Sequence, residues 1–443
     1  NNYLGEDLGL YSSGLFPFFT YASIQNKFKY LNEIIKEHFL TLVDYEFNLC
    51  LPGMVVSIIP GLEEQNEPLQ KTIKEIFGES RKKVSDSTFY GILWSIILRN
   101  QRLRNVCIKY INDTVPIYKS IEENPETKEE VVNNYYPNIS ILVVNSLRVL
   151  IEESDLPSQR VGMDFIITRF PIYNNILTEE DKILLLISGL QLLIKNDYST
   201  TRRLQMWLMG PGQEDELEMG DPNIKYMIEL LIKAIKKIFL SSETIGKKEN
   251  LSNGIKIIDQ LFKQQVKLVD YILEFVSIDM ISAIELNWQN INHNPQDDII
   301  ARVKSFYSYD PGYLDCLWNS LGKKLNVITS SHIEEEDNSQ FNDEMDIIVR
   351  TLKFCLDYVY LEKIDKKIKF YIPIISSLLK GLLLYHVDTT DDLFEVKPLI
   401  VLALKFVKSL QLGTQLEENS TNNSNSRSVV SKDNHYVPFA SSI

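Results

Sequence analysis

The stretches "RNVCIKYINDTVPIY" (residues 104–118) and "RVGMDFIITRFPIY" (160–173) align once a single residue is skipped. Each runs from an arginine through apolar residues at helical spacing to a Pro-Ile-Tyr exit, and Pro116 and Pro171 lie 55 positions apart. Such a period suits two or three helices per layer, as in armadillo- and HEAT-like solenoids, where each unit buries its apolar face against its sequence neighbours. Chance similarity of two amphipathic helices is the competing explanation. The rest of the chain decides between them.

Working outward, helical periodicity dominates. In "IQNKFKYLNEIIKEHFLTLV" (24–43), Phe28, Leu31, Ile34, Ile35, Phe39 and Leu42 recur at three- and four-residue steps. The pattern returns over 87–98, 139–151, 179–195, 224–240, 254–276, 345–361, 371–386 and 397–411. Helix starts are signalled at Thr178 before "EEDK", at Asp221-Pro222, and at Ser199 before "TTRRL". Only 18 Gly and 16 Pro punctuate 443 residues, too few for a strand-rich chain. The expected fold is all-α, an armadillo/HEAT-like solenoid of stacked helical layers. Residues 1–240 form its first part, 241–416 its continuation, and 417–443 a disordered polar tail without apolar periodicity. The acidic or proline-bearing stretches 120–130, 210–223, 243–254 and 332–344 are expected to be solvated connections.

A net charge of −14 argues against general nucleic-acid binding, which needs a basic footprint to displace counterions. Cys50, Cys107, Cys316 and Cys355 lie far apart in apolar runs, the pattern of buried free thiols in a reducing compartment. The longest nearly unbroken apolar run, "ILLLISGLQLLI" (183–194), is short of the roughly 20 residues that span a bilayer, so membrane contact is expected to be peripheral. No signal peptide is evident, and the chain opens at "NNYLGEDLGL" without methionine, as a piece of a longer protein would.

Chemistry-bearing motifs are missing from the sequence. The five histidines form no HxxxH or HExxH, and no phosphate-cradling GxxxxGK[ST], GxGxxG or GxSxG occurs. Adjacent acids such as Glu152 and Glu153 point about 100° apart on a helix, which does not suit a carboxylate pair. Neither an enzyme nor a cofactor is expected.

Two basic clusters stand out instead. Arg81, Lys82, Lys83, Arg99, Arg102, Arg104 and Lys109 are opposed only by Asp86 within 81–109. Either they are spread over different faces and paired with acids, or they line one ridge and meet anionic lipid or an acidic partner. Each cation at an anionic bilayer contributes about 1 kcal/mol, enough together to hold a soluble scaffold weakly. The second cluster is in "NDYSTTRRLQMWLMG" (196–210). Leu204, Trp207 and Leu208 share one helical face, while Arg202 and Arg203 sit in the first turn, where the helix dipole disfavours cations unless they reach carboxylates. Arg202, Arg203 and Trp207 are therefore architectural candidates: an arginine fork tying this helix to an acid next door, and an indole filling the core between layers. A partner-binding surface is the other possibility.

That segment resembles "DMSLNRRLYxWLLG" of the Dopey family, large eukaryotic proteins of Golgi and endosomes. "GLFPFFTYAS" (14–23), "EHFLTL" (37–42), "IIPGLEE" (58–64) and "LWSIILRNQRLRNVCIKYINDTVP" (93–116) agree with the same N-terminal region, and "LPSQRVGMDFIITRFPI" (156–172) fits its "VLVQRGFLDLLxxxxPL" pattern. The matches are collinear and cover roughly residues 10–210. Thr200-Thr201 replace Leu-Asn and Met209 replaces Leu, changes a helix tolerates. The resemblance implies a non-enzymatic scaffold in traffic between endosomes and the trans-Golgi, peripheral on the cytoplasmic face of those membranes. It further implies an Arf-exchange-factor-like scaffold of the Mon family and a type IV P-type ATPase flippase as partners, with a link to kinesin and phosphatidylinositol 4-phosphate in animals. An importin-like cargo adaptor is the rival; it predicts a ladder of Trp and Asn, which Trp94, Trp207, Trp288 and Trp318 are too few and irregular to supply.

Overall fold

A computed structural model describes residues 17–21, 28–116, 125–210, 221–243, 248–264, 266–290, 298–331, 338–359, 361–384 and 397–411. Every regular element among them is helical, so the fold class is all-α. The chain divides into two units, 1–238 with 256–268, and 239–255 with 269–443. Residues 417–443 lie outside the described residues.

The first unit contains α1 (Phe28–Ile34, extended by a π turn Ile35–Phe39), α2 (Asp44–Ile58), α3 (Glu67–Lys83), α4 (Asp86–Arg99) and α5 (Arg104–Thr114). There follow α6 (Pro125–Tyr135), α7 (Val144–Ile151), α8 (Leu156–Arg169), α9 (Glu179–Leu190), α10 (Tyr198–Met209) and α11 (Pro222–Glu243), which from Phe239 on belongs to the second unit. They stack as helix pairs in two rows. One row runs α1, α3, α5, α8, α10, joined by Lys36–Glu75 (3.9 Å), Lys74–Asp113 (3.5 Å), Asn105 donating to Ser158 (3.0 Å) and Arg203–Asp164 (2.7 Å). In the other, the Ser146 hydroxyl on α7 donates to the Trp94 carbonyl on α4 (2.9 Å), Ser188 on α9 to Glu152 after α7 (2.6 Å), and Lys237 on α11 to Glu180 on α9 (2.8 Å). Aromatic rings fill the space between rows: Trp94 lies 6.1 Å from Phe165, and Tyr136 lies 5.3 Å from Phe170. Gly162 marks a close approach, since a Cβ there would come within 2.9 Å of the Leu150 Cβ.

The first-row helices begin at residues 28, 67, 104, 156 and 198. Steps near the 40–47 residues usual for such repeats are broken by one longer step, where α6 is inserted after α5. The 55-residue spacing of the two Pro-Ile-Tyr exits is thus an ordinary helix-pair period lengthened by an extra helix, and the layering is that of an armadillo/HEAT-like solenoid.

Several local expectations need correction. Helices reach back into three stretches expected to be connections: α6 starts at Pro125, the helix Lys248–Gln264 covers most of 243–254, and the helix Asn338–Tyr358 starts inside 332–344. Proline at the first helical position and acids near the positive helix end favour starting a helix, so polarity alone was a poor sign of a loop there. The expected cap of α10 shifts from Ser199 to Asp197, whose carboxylate accepts from the Thr200 amide at 2.8 Å; a charged acceptor outcompetes a hydroxyl at that end of the dipole. Thr178 and Asp181 form a reciprocal capping box on α9. Among the described residues one stretch, Asp44–Leu62, is long and apolar enough to cross a membrane by length and composition, unlike the run 183–194; with 56% of its window buried, it packs as a core helix of the unit.

The second unit includes the helices Asp298–Tyr309, Pro311–Ser331, Asn338–Tyr358 and Ile364–Leu384, and a helix over 397–411. Its core is built on Trp318, with Tyr371 at 5.0 Å and Phe406 at 6.0 Å. Lys366–Asp315 (2.6 Å) and Lys405–Asp357 (3.2 Å) clamp neighbouring helices at the rim.

Candidate functional site

The basic stretch splits into two groups. Arg81, in the last turn of α3, grips Asp86 with two hydrogen bonds (2.6 and 3.0 Å) and lies over the Tyr90 ring (5.1 Å). Lys83 donates to the Leu40 carbonyl (2.9 Å) above the Phe47 ring. Arg104 donates to the Ile97 carbonyl (2.9 Å) and pairs with Glu153. These three hold helices together. Lys82, Arg99, Arg102 and Lys109 are exposed; Lys82 pairs with Glu79 on its own helix at 2.8 Å.

In 196–210 the two arginines differ as well. Arg203 makes a bidentate contact with Asp164 on α8 (2.7 and 3.0 Å) and donates to the Ser199 hydroxyl (2.6 Å). Arg202 is exposed. Trp207 is buried, and its indole N–H donates 2.8 Å to the carbonyl of Phe170, the residue that caps α8.

Three buried polar groups were not singled out from sequence. Trp94 donates its indole N–H to the Tyr135 carbonyl at the end of α6 (2.9 Å). Arg169, at the end of α8, fans over the end of α5, donating to the carbonyls of Asn112, Val115 and Pro116 (each 2.6 Å) and to the Asn112 side chain (3.0 Å). In each case a buried side chain on one helix satisfies orphan carbonyls at the end of another, and the Arg169 guanidinium meets the negative pole of α5. A charge just before "FPIY" was the available signal. Glu153, between α7 and α8, accepts from Gln101 (2.5 Å), from Arg104 and from the Ser154 amide (2.9 Å), while Lys195 donates to its carbonyl (3.2 Å). Three layers meet at this one residue.

Burial works to raise the Glu153 pKa, but the hydrogen bonds from Arg104, Ser154 and Gln101 outweigh it and hold the carboxyl below its ordinary value. A depressed folded-state pKa stabilises the fold fully above the unfolded pKa and is lost as pH falls through the folded one. Glu153→Gln is expected to cost about 2–3 kcal/mol at neutral pH, by leaving Arg104 buried without a counter-charge. The gap to the unaltered chain should narrow on acidification below the ordinary value of 4.5. Urea midpoints from pH 7 to 3 check this; a gap that stays constant would assign the effect to shape.

An open groove of about 760 Å³ lies in the first unit, bounded by Val56 of α2, Ile92 and Arg99 of α4, and Leu142. No cluster of His, Cys, Asp or Glu suited to a metal occurs among the described residues. Burial pushes the Cys107 and Cys355 thiols well up, which leaves them unreactive.

Residues 1–213 match the family model "Dopey, N-terminal", a span that contains the helices α1 to α10. A DOP1 homolog of Drosophila melanogaster is 23% identical over 439 residues, covering 91% of this chain. DOP1 of Saccharomyces cerevisiae is 23% identical over 80% of the chain, and pad-1 of Caenorhabditis elegans is 28% identical over 50%. The chain spans 16% of the fly protein and 23% of the yeast one. None of these names designates an enzyme. No solved structure matches the chain. With the family's N-terminal model lying on the layered helix pairs, and relatives of that family aligned over most of its length, the chain belongs to the Dopey family.

Proposed function

We propose that the chain is a non-enzymatic α-solenoid scaffold in traffic between endosomes and the trans-Golgi, peripheral on the cytoplasmic face of those membranes. In this reading it assembles with an Arf-exchange-factor-like Mon-family scaffold and a phospholipid flippase. The observation that carries it is the Dopey N-terminal match over residues 1–213. In support, the buried Arg169, Glu153 and Trp207 of the first unit are each occupied in joining helices, an architectural use and not a chemical one. Purification of the chain from a membrane extract under crosslinking is expected to recover the Mon-family protein and the flippase. Recovery of karyopherin cargo in their place would overturn the reading in favour of an importin-like adaptor.

A weak anionic-lipid contact belongs to the same proposal. With Arg81, Lys83 and Arg104 engaged inside the fold, the contact rests on Lys82, Arg99, Arg102 and Lys109, at about 1 kcal/mol each. The chain is expected to float with vesicles containing anionic phosphoinositide and not with neutral ones. Changing those four residues to glutamine should abolish flotation at physiological salt, and equal binding to neutral vesicles would remove the lipid contact.

A further inference from the structure

Helix α2 is apolar on both sides. Phe47, Cys50, Leu51, Met54, Val55 and Ile58 face the core of the unit and are buried. Between them Tyr45, Leu49, Pro52 and Val56 recur at steps of four, three and four, which places them on one opposite face. That face is open: Tyr45 is 73% exposed, Leu49 48% and Val56 37%, and Pro52 is exposed too. A helix apolar all round belongs in a buried setting, and a contiguous apolar stripe at a surface marks something that covers it.

The stripe does not stand on a ridge. Pro52 and Val56 form one wall of the 760 Å³ groove, which runs along α4 from Ser87 to Asn100. Gly91 keeps its floor low, since a Cβ there would already stand 3.4 Å from the Pro137 ring. Thirteen helical steps are about 20 Å, so the groove's cross-section is about 40 Å², half that of a helix about 10 Å across with its side chains. It takes one row of side chains from a helix, not the whole helix. A bilayer surface meets convex faces; a concave wall of this width suits an amphipathic helix laid in by its apolar edge.

Its charge selects the partner further. No Asp or Glu lines the groove. At one end stand the exposed Arg99 and, just beyond it, Arg102, with no acid paired to either among the described residues. At the other end lies the amino terminus of α4, the positive pole of its dipole. Both ends favour negative charge.

We propose that the α2–α4 groove receives an amphipathic helix of a partner protein, with apolar residues spaced i, i+3 or i+4, and i+7, and acidic residues at the end that meets Arg99. This deepens the scaffold reading and rests on it, by stating where and how a partner helix docks.

The probe is a displayed library of sixteen-residue helical peptides, selected against the whole chain and remeasured as synthetic peptides by fluorescence polarisation. Selected binders should carry the apolar spacing and at least one Glu or Asp near one end. Leu49→Glu, Val56→Glu and Arg99→Glu should each weaken binding tenfold or more, whereas Leu184→Glu, an exposed apolar position on α9, should leave it unchanged. Changing the selected peptide's acid to lysine should restore binding to Arg99→Glu. All four positions are at the surface, and unchanged circular dichroism and melting of each variant confirm that folding is intact.

Binders indifferent to these three substitutions, or a library that yields none, would overturn the proposal. So would flotation of the unaltered chain on neutral vesicles that Leu49→Glu and Val56→Glu abolish, which would make the stripe a lipid contact. Co-isolation of trafficking partners by chains carrying the three substitutions would separate failure of the groove from failure of the scaffold reading.

Discussion

Replacement of Trp207 by alanine is expected to destabilise the chain by about 3–5 kcal/mol, read as a fall in the urea midpoint at unchanged slope. The indole is 1% exposed and fills the seam between α9 and α10, where a Cβ on Gly189 would stand only 3.6 Å from its ring. Truncation leaves a void that backbones on both sides cannot close, since Leu204 and Leu208 on the same face are already buried. It also removes the donor to the Phe170 carbonyl at the end of α8. Trp207→Phe separates the two effects: it keeps most of the volume and loses the hydrogen bond, at about 1–3 kcal/mol. An unaltered melting temperature in Trp207→Ala would mean that the side chain does not carry the seam at all.

Arg169→Met is expected to be of similar size, about 3–5 kcal/mol. At 3% exposure the guanidinium would be costly to bury alone, but three carbonyls and one amide oxygen from the end of α5 surround it. Methionine fits the space and supplies no donor, so the carbonyls of Asn112, Val115 and Pro116 lose their partners in a site with little room for water. Arg169→Lys should recover only part of the loss, because one ammonium cannot serve acceptors spread over the plane of a guanidinium fork. Hydrogen exchange should rise in the last turn of α5, some 55 residues from the substitution, before it rises elsewhere. Protection there equal to that of the unaltered chain would show that Arg169 is a passive filler.

The two residues differ in how far sequence discloses their roles. Trp207 lies three and one residues from Leu204 and Leu208, so helical spacing alone places it on an apolar face. Arg169 also follows an apolar face, yet a lone charge before a proline is equally compatible with a solvated helix end. The basic stretch is a similar case. Charge counting isolates 81–109, but it treats Arg104 and Lys109 alike, although one is paired with buried Glu153 and the other is exposed. The outer stripe of α2 is hidden in the sequence for the opposite reason: Asp44, Glu46 and Asn48 interrupt the apolar run, so it is visible only once the helix is wound.

By itself the sequence determined that this protein is all-α, that its helices follow in short succession, and that certain residues cap them or face inward. These are local properties, set by the 3.6-residue turn, by capping side chains and by the scarcity of glycine and proline. Only the tertiary structure decided which charges are spent inside the fold, why one layer is longer than the rest, and where a groove opens. Each of those depends on what a helix some 40 to 55 residues away brings alongside, and periodicity states which way a side chain points without stating what it will meet.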